Sequence, residues 1–289
     1  MRKYRRAFFI PKEIFRIKKF TFSIAIVVIV ILVALIGPLL YPKLNLSLYA
    51  GPPDSPPSNE YPLGTDRNGR DILSHLLVGM RTSLYVGAIA TVIALTIGVI
   101  VGSFAGFKGG IVDEILMMIT NIMYTLPAIL IMILIASYLK ERSPLFVAIV
   151  IGITSWPWLA RAVRAQIMSL KEREFVQMSK MSGLKGYEII FEDLLPNMAS
   201  YVFMSVALLL SISMLAEAGL SMIGAGIDPS TESSLGIMLQ RAQQGEAVRL
   251  GRWWCFIPPG VVLVIITTSL LMLSTSIDEY FNPRLRGGK

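Results

Sequence analysis

Charged side chains are scarce in this sequence of 289 residues: they make up 16% of it, whereas soluble domains carry about 25%. Hydrophobic residues make up 54% and the mean hydropathy is +0.64. Because so few charges cannot cover a surface that faces water, the chain is predicted to be an integral membrane protein. The single cysteine, Cys255, excludes an internal disulfide, and the single histidine, His75, excludes a multi-histidine metal site. We therefore expect no metal and no cofactor.

Motifs for catalysis are also missing. The sequence has no G-x-x-x-x-G-K-[ST] phosphate loop, no G-x-S-x-G nucleophile motif and no H-E-x-x-H zinc motif. We therefore predict no catalytic residue and no enzymatic activity. If ATP drives this protein, another chain has to hydrolyse it.

Six uncharged runs are long enough to cross a bilayer, whose core of about 30 Å needs roughly 20 helical residues. They cover residues 20–40, 82–107, 115–139, 143–160, 194–216 and 253–277. Pro127 and Pro157 interrupt the third and fourth runs and predict kinks there. The sequence thus predicts an all-α fold with six transmembrane helices in a membrane domain at 20–280.

The distribution of basic residues predicts the orientation of these helices. Eighteen of the 27 Lys and Arg residues fall on one side of the membrane and nine on the other. Since the cytoplasmic side attracts positive charge, both termini are predicted to be cytoplasmic. The net charge of +8 then orients the protein in the bilayer and does not indicate nucleic-acid binding. The predicted segments are a cytoplasmic amphipathic N-terminus (1–19), outside loops (41–81 and 227–252), a cytoplasmic loop (161–197) and a cytoplasmic tail (281–289).

Small residues recur at every fourth position of the second run. They are Ala90, Ala94, Gly98, Gly102 and Gly106. Such a stripe allows two helices to approach closely in lipid, so we expect the stripe from Ala94 to Gly106 to be a helix-packing face. The alternative is that Gly and Ala are merely common in membrane spans.

The cytoplasmic loop at 161–197 is too long and too structured to be a simple connection. Its apolar residues follow a helical spacing up to Gly183, and a second short helix is predicted to end near Leu195 and Pro196. The spaced apolar residues are Ile167, Leu170, Phe175, Met178 and Met181. Two short helices around a glycine, apolar on one side, are suited to docking into a groove on a soluble partner.

This loop resembles the coupling segment of ABC importer permeases, E-A-A-x3-G-x9-I-x-L-P. Gly183, Leu195 and Pro196 match that pattern, whereas 177–179 read Gln-Met-Ser and Asp193 takes the place of Ile. Three further stretches resemble the C-type permease subunit of dipeptide, oligopeptide and nickel importers: 61–71, 216–226 and 282–286. Independently of the resemblance, the polar residues at 61–71 are expected to form turns and cap the next helix.

The resemblance implies a type I ABC importer permease in the cell membrane, which carries peptides, oligosaccharides or metal complexes. It also implies a second homologous permease subunit, two ATP-binding subunits and an extracytoplasmic solute-binding protein as partners. A coupling helix at about 172–185 would contact the ATPase. The residues expected at this contact are Glu172, Glu174, Gln177, Met178, Ser179, Gly183, Leu184, Leu195 and Pro196. The alternative is a self-sufficient secondary transporter or channel.

Glu217 is the one carboxylate in an apolar stretch of more than 30 residues. Acidic residues inside the membrane are costly and often functional. We weigh two interpretations: a structural polar contact, and a position on the translocation path together with Ser221.

Overall fold

The computed structural model of the protein describes residues 14–15, 17–138 and 142–281. Within these ranges the chain forms helices and no strand, apart from one isolated bridge between Thr65 and Asp71. The all-α prediction is confirmed. Most of the predicted N-terminal amphipathic segment, and the tail beyond Phe281, lie outside the described residues.

The helices are α1 (Lys18–Leu40), α2 (Ile72–Lys108), α3 (Gly110–Thr125), α4 (Ala128–Ser137), α5 (Pro144–Ser155), α6 (Pro157–Lys171), α7 (Glu174–Met181), α8 (Gly186–Glu188), α9 (Leu195–Asn197), α10 (Ala199–Met222), α11 (Leu235–Gln244) and α12 (Ile257–Phe281). A π-helix (Ile189–Leu194) joins α8 to α9, and a 3₁₀ turn (Trp253–Cys255) precedes α12. Lys19 at the start of α1 pairs with Glu279 near the end of α12, with 3.4 Å between Nζ and Oε2. These two helix ends therefore lie on the same side of the bundle.

Four of these helices, α1, α2, α10 and α12, are long and apolar enough to cross a membrane unbroken. The other two crossings are bent pairs: α3 and α4 meet at 80°, and α5 and α6 at 44°. Both bends occur at the predicted prolines, Pro127 and Pro157. The first is sharper than a kink because Leu126, the residue before Pro127, is extended. Counting each bent pair as one crossing gives the six predicted spans.

Helix α2 begins at Ile72, ten residues before the uncharged run at 82–107. Asp71 caps this start, because its carboxylate accepts hydrogen bonds from the backbone N–H groups of Leu73 and Ser74, both at 3.2 Å. The interpretation of 61–71 as turns and a cap is therefore confirmed. The uncharged run misses the first turns of α2 because Arg81 interrupts it, although the backbone is helical on both sides of Arg81.

The small-residue stripe of α2 lies against α5 and α6. A methyl group added at Gly102 would lie 2.5 Å from the carbonyl oxygen of Ala160 and 2.8 Å from Cβ of Val163. At Gly98 the nearest atom would be Leu159 Cδ2, at 2.9 Å. At Gly106 it would be the Arg164 carbonyl oxygen, at 2.7 Å. Ala94 is fully buried in the same cluster. The backbones of α2 and α6 thus approach closely because glycine carries no side chain.

The predicted outside loop packs against the end of the predicted outside insertion and the 3₁₀ turn that follows it. Trp254 donates a hydrogen bond from Nε1 to the carbonyl oxygen of Thr65 (3.1 Å), and Arg252 pairs with Asp54 at 2.7 Å. Within the insertion, α11 lies across the outer ends of α2, α10 and α12 and shares a buried apolar cluster with them. The sequence predicts the insertion at 227–252 but not this packing, since it does not show which helices the insertion covers.

Candidate functional site

The segment between α6 and α10, which is predicted to be cytoplasmic, consists of short helices that meet at a glycine. Helix α6 ends at Lys171, a turn at 172–173 follows, and α7 then runs to Met181. The chain reverses at Gly183, whose φ of +79° lies in the left-handed region that favours glycine. The predicted order of helix, glycine break and helix is confirmed. The turn at 172–173 is new, since the apolar spacing from Ile167 to Met181 predicts one helix there. The coupling helix that the resemblance implies at about 172–185 is shorter in the structure, because α7 ends at Met181.

Val176 anchors α7 to the rest of the protein. Its side chain is fully buried among residues of α6 and of the π-helix. These neighbours are Val163, Ile167, Ile189, Ile190 and Leu194, none more than 1% exposed. Because one cluster joins α7 to α6 and also to the segment that leads into α10, α7 is fixed to two membrane helices at once.

The π-helix and α9 form the connection from the cytoplasmic segment into α10. The backbone N–H of Leu195 donates to the carbonyl oxygen of Ile190, five residues earlier. Pro196 lies in the first turn of α9, where its missing N–H costs little. Leu195 and Pro196 are both partly buried. Of the expected contact residues, these two therefore belong to the connection into the membrane, not to the outer face of α7.

The outer face of α7 and of the turn after it carries exposed apolar side chains. Met178 is 68% exposed, Met181 is 88% exposed and Leu184 is 38% exposed. Polar neighbours are exposed with them: Glu172, Glu174 and Gln177. Exposed apolar side chains next to charged ones, on a segment that is predicted to face water, indicate a contact surface for another protein.

The expected apolar pattern of this loop is only partly correct. Ile167 is buried and Phe175 half-buried, whereas Met178 and Met181 point away from the core. The turn at 172–173 shifts the phase between α6 and α7, so Val176 takes the inward position instead. Ser179 is half-buried and donates a hydrogen bond of 3.0 Å to the carbonyl oxygen of Phe175.

Two arginines of α6 tie this helix to α3. Arg164 makes a bidentate pair with Asp113, with both N–O distances at 2.5 Å. One turn earlier, Arg161 donates to the side-chain oxygen of Asn121 (2.7 Å) and lies over the ring of Tyr124, 4.1 Å from its centre. The sequence shows no clear sign of these contacts, since the partners are about 40 to 50 residues apart. Helix α3 is thus held to the same helix that carries α7.

At the opposite end of the bundle, Glu217 of α10 is fully buried and accepts three hydrogen bonds from serine side chains. Ser221 and Ser234 donate to Oε1 at 2.8 and 2.6 Å, and Ser83 donates to Oε2 at 2.9 Å. The serines come from α10, from the residue that caps α11, and from α2. Glu217 and Ser221, the two expected path residues, are therefore brought together by a bond between them.

A second set of polar contacts holds the other end of α11. Arg241 donates from Nη2 to the carbonyl oxygen of Pro229 at 2.7 Å, and its Nη1 lies 3.3 Å from Nδ1 of His75. Burial lowers the pKa of Arg241 to about 10, which still leaves it charged at neutral pH. Ser233 Oγ lies 3.1 Å from the same His75 nitrogen. Helix α11 is thus bonded to α2 near both of its ends.

A sequence profile of the family described as "Binding-protein-dependent transport system inner membrane component" matches residues 98–287. The match begins within α2 and includes the whole cytoplasmic segment, α10 and α12. The chain belongs to this family. It is a permease of the inner membrane and not an enzyme.

Relatives of the permease include proteins named for peptide transport. It is 32% identical over 275 residues to the dipeptide transport system permease protein DppC of Bacillus subtilis. The aligned region covers 94% of this chain and 84% of that protein. It is 34% identical over 270 residues to the oligopeptide permease OppC of the same organism, covering 91% and 85%. To OppC of Mycobacterium tuberculosis H37Rv it is 30% identical over 232 residues, covering 80% and 78%.

The described part of the permease offers no site for a metal. In residues 14–15, 17–138 and 142–281, no three His, Cys, Asp or Glu side chains are placed to hold an ion. Two separate groups of polar side chains, one around Glu217 and one around Arg241, form hydrogen bonds within each group. The regions considered below are the exposed apolar face of α7 and helix α11, which these hydrogen bonds hold.

Proposed function

We propose that the permease forms half of the membrane pathway of an ATP-driven importer of peptides. The proposal rests on its family and on relatives named as permeases of dipeptide and oligopeptide transport systems. In this proposal a second homologous permease completes the pathway as a heterodimer. Two ATP-binding subunits lie below it, and an extracytoplasmic solute-binding protein delivers the peptide from above.

The contact with an ATP-binding subunit is proposed to be the exposed face of α7 and the turn after it. The observation that carries this is the division within one short helix: Val176 is fully buried, while Met178 and Met181 are 68% and 88% exposed. A helix fixed on one side and apolar on the other is suited to a groove on a partner. Methionine fills such grooves well because its side chain is flexible and polarisable.

Charge is arranged along α7 in a way that supports a polar rim around this contact. Glu174 lies in the first turn and Lys180 in the last, where each favours the helix dipole. Because α7 shares its buried cluster with α6 and with the connection to α10, a movement imposed on α7 reaches both spans as a rigid-body displacement. This is the mechanical step by which we expect ATP binding to reorient the pathway.

Copurification tests the proposal. The full-length permease is coexpressed with its partner permease and the ATP-binding subunits, solubilised, and captured through a tag on the permease. Met181→Glu and Met178→Glu should each reduce the recovered ATP-binding subunit about tenfold or more, because a charge would be buried in the contact.

The matched control is Leu250→Glu, which places the same charge on a 48% exposed apolar residue in the outside insertion. This variant should retain the ATP-binding subunits. Full recovery with both methionine variants would refute the proposed contact. Peptide uptake by the permease without any ATP-binding subunit would instead favour a self-sufficient transporter or channel.

A further inference from the structure

The hydrogen bonds around Glu217 have a defined direction. Ser83 Oγ accepts a hydrogen bond from the backbone N–H of Leu235 (3.1 Å), and Ser234 Oγ accepts one from that of Ile237 (3.1 Å). With their oxygens accepting from N–H groups, both hydroxyl hydrogens are left to donate to Glu217. The carboxyl group of Glu217 therefore accepts from these hydroxyl groups.

This arrangement links the first turn of α11 to two membrane helices. The N–H groups of Leu235 and Ile237 belong to those that a helix leaves unpaired at its N-terminus. They bond to Ser83 and Ser234, and these serines bond to Glu217 of α10. Loss of the carboxylate would leave buried hydroxyl groups without an acceptor at the junction of three helices, which is costly in a dry interior.

Two glycines bring α11 close enough for these bonds. A methyl group added at Gly236 would lie 2.6 Å from Cα of Ala218, and one added at Gly79 would lie 3.1 Å from the carbonyl carbon of Ser234. The neighbouring atoms belong to the backbone, which cannot turn aside as a flexible side chain can. The backbone of α11 thus lies directly against α10 and α2 at the point where Glu217 bonds.

We propose that Glu217 is a positioning residue that, through Ser83, Ser221 and Ser234, holds α11 in place across the outer ends of α2, α10 and α12. The consequence for transport rests on the function proposed above. In that proposal α11 covers the outer mouth of the pathway and has to be held in position to admit peptide from the binding protein. The attachment of α11 itself is independent of that function.

The single cysteine of the protein reports on this attachment. Cys255 is buried, and it lines a narrow cavity of about 20 Å³ together with Met238 and Ala242 of α11. If α11 separates from α2 and α10, this cavity opens to the outside and the thiol becomes accessible. No cysteine has to be introduced or removed, because the sequence contains one.

The experiment measures the rate at which a membrane-impermeant maleimide labels Cys255 in the full-length permease, assembled with its partner subunits in membranes. Glu217→Gln should raise the rate about tenfold or more, because the amide group would place N–H hydrogens where a serine hydroxyl now donates. Ser234→Ala and Ser83→Ala should raise it in the same direction. Peptide uptake should fall in parallel, while recovery of the ATP-binding subunits stays unchanged.

Ser213→Ala is the matched control, since Ser213 is a buried serine of the same helix α10 whose hydroxyl makes no hydrogen bond in the described chain. Labelling at the wild-type rate in Glu217→Gln, Ser83→Ala and Ser234→Ala would overturn the proposal. If Glu217→Gln fails to accumulate in the membrane, the two serine variants decide the question by the same measurement. Because labelling needs neither ATP nor peptide, a failed coupling contact on the cytoplasmic side would not affect the result.

Discussion

A methyl group added at Gly102 is expected to separate α2 from α6. It would lie 2.5 Å from the Ala160 carbonyl oxygen and 2.8 Å from Cβ of Val163. The first is a backbone atom and the second belongs to a β-branched side chain, so neither moves away without shifting a helix. Overpacking of this kind costs about 1–3 kcal/mol. The higher helix propensity of alanine recovers up to about 1 kcal/mol.

Because these atoms cannot move aside, the upper end of that cost applies, and Gly102→Ala should lower the free energy of unfolding by about 2 kcal/mol after the gain in helix propensity. Gly219→Ala is the matched variant, because a methyl group at Gly219 of α10 would meet no atom within 4 Å in the described chain. That change should leave stability unchanged or raise it by up to about 1 kcal/mol. Thermal unfolding of the purified permease in one detergent measures both. Shifts of the same sign and size would refute the close approach of α2 and α6.

Three further changes test separate contacts. Val176→Ala should weaken the packing of α7 against α6 and the π-helix by about 1–3 kcal/mol. Copurification of the ATP-binding subunits should fall, while the amount of permease in the membrane stays the same. Unchanged recovery would contradict the role of Val176 as the anchor of α7. A double-mutant cycle with Arg164→Gln and Asp113→Asn should give a coupling energy of about 1–2 kcal/mol, since the pair is partly exposed. Additive effects of the two substitutions would show that the pair does not hold α3 to α6. Asp71→Ala removes the cap of α2 and should cost about 1 kcal/mol in thermal unfolding, whereas Asp71→Asn should cost less; equal losses would argue against the cap.

Much of the fold follows from composition and spacing. Uncharged runs predict the six crossings because an unpaired backbone group cannot be left in lipid, so an apolar run of that length has to be helical. Pro127 and Pro157 predict the two bends for an equally local reason, the missing N–H of proline. The start of α7 was harder to predict, since it depends on a turn at 172–173 within polar sequence. The uncharged run at 82–107 alone places the start of α2 ten residues too late, and only the cap at Asp71 gives the true start.

The contacts between distant residues could not be predicted. The sequence singles out Glu217 as an isolated acid, but its partners Ser83 and Ser234 look like any other serine, and 134 and 17 residues separate them from it. The same holds for Arg164 and Asp113. In the segment between α6 and α10, the resemblance predicts the coupling residues, but only the packing of Val176 shows that Met178 and Met181 face outward.

Cross-linking from α7 tests the proposed coupling most directly. Replacing Cys255 by serine leaves a background without cysteine, into which Met181→Cys is introduced. A photoreactive cross-linker attached to this thiol should then link the permease to an ATP-binding subunit in assembled membranes on illumination, with a yield that changes when ATP is added. Leu250→Cys on the outside insertion should give no such product. Absence of the link from position 181, in complexes that transport peptide, would contradict the proposal that α7 is the ATPase contact.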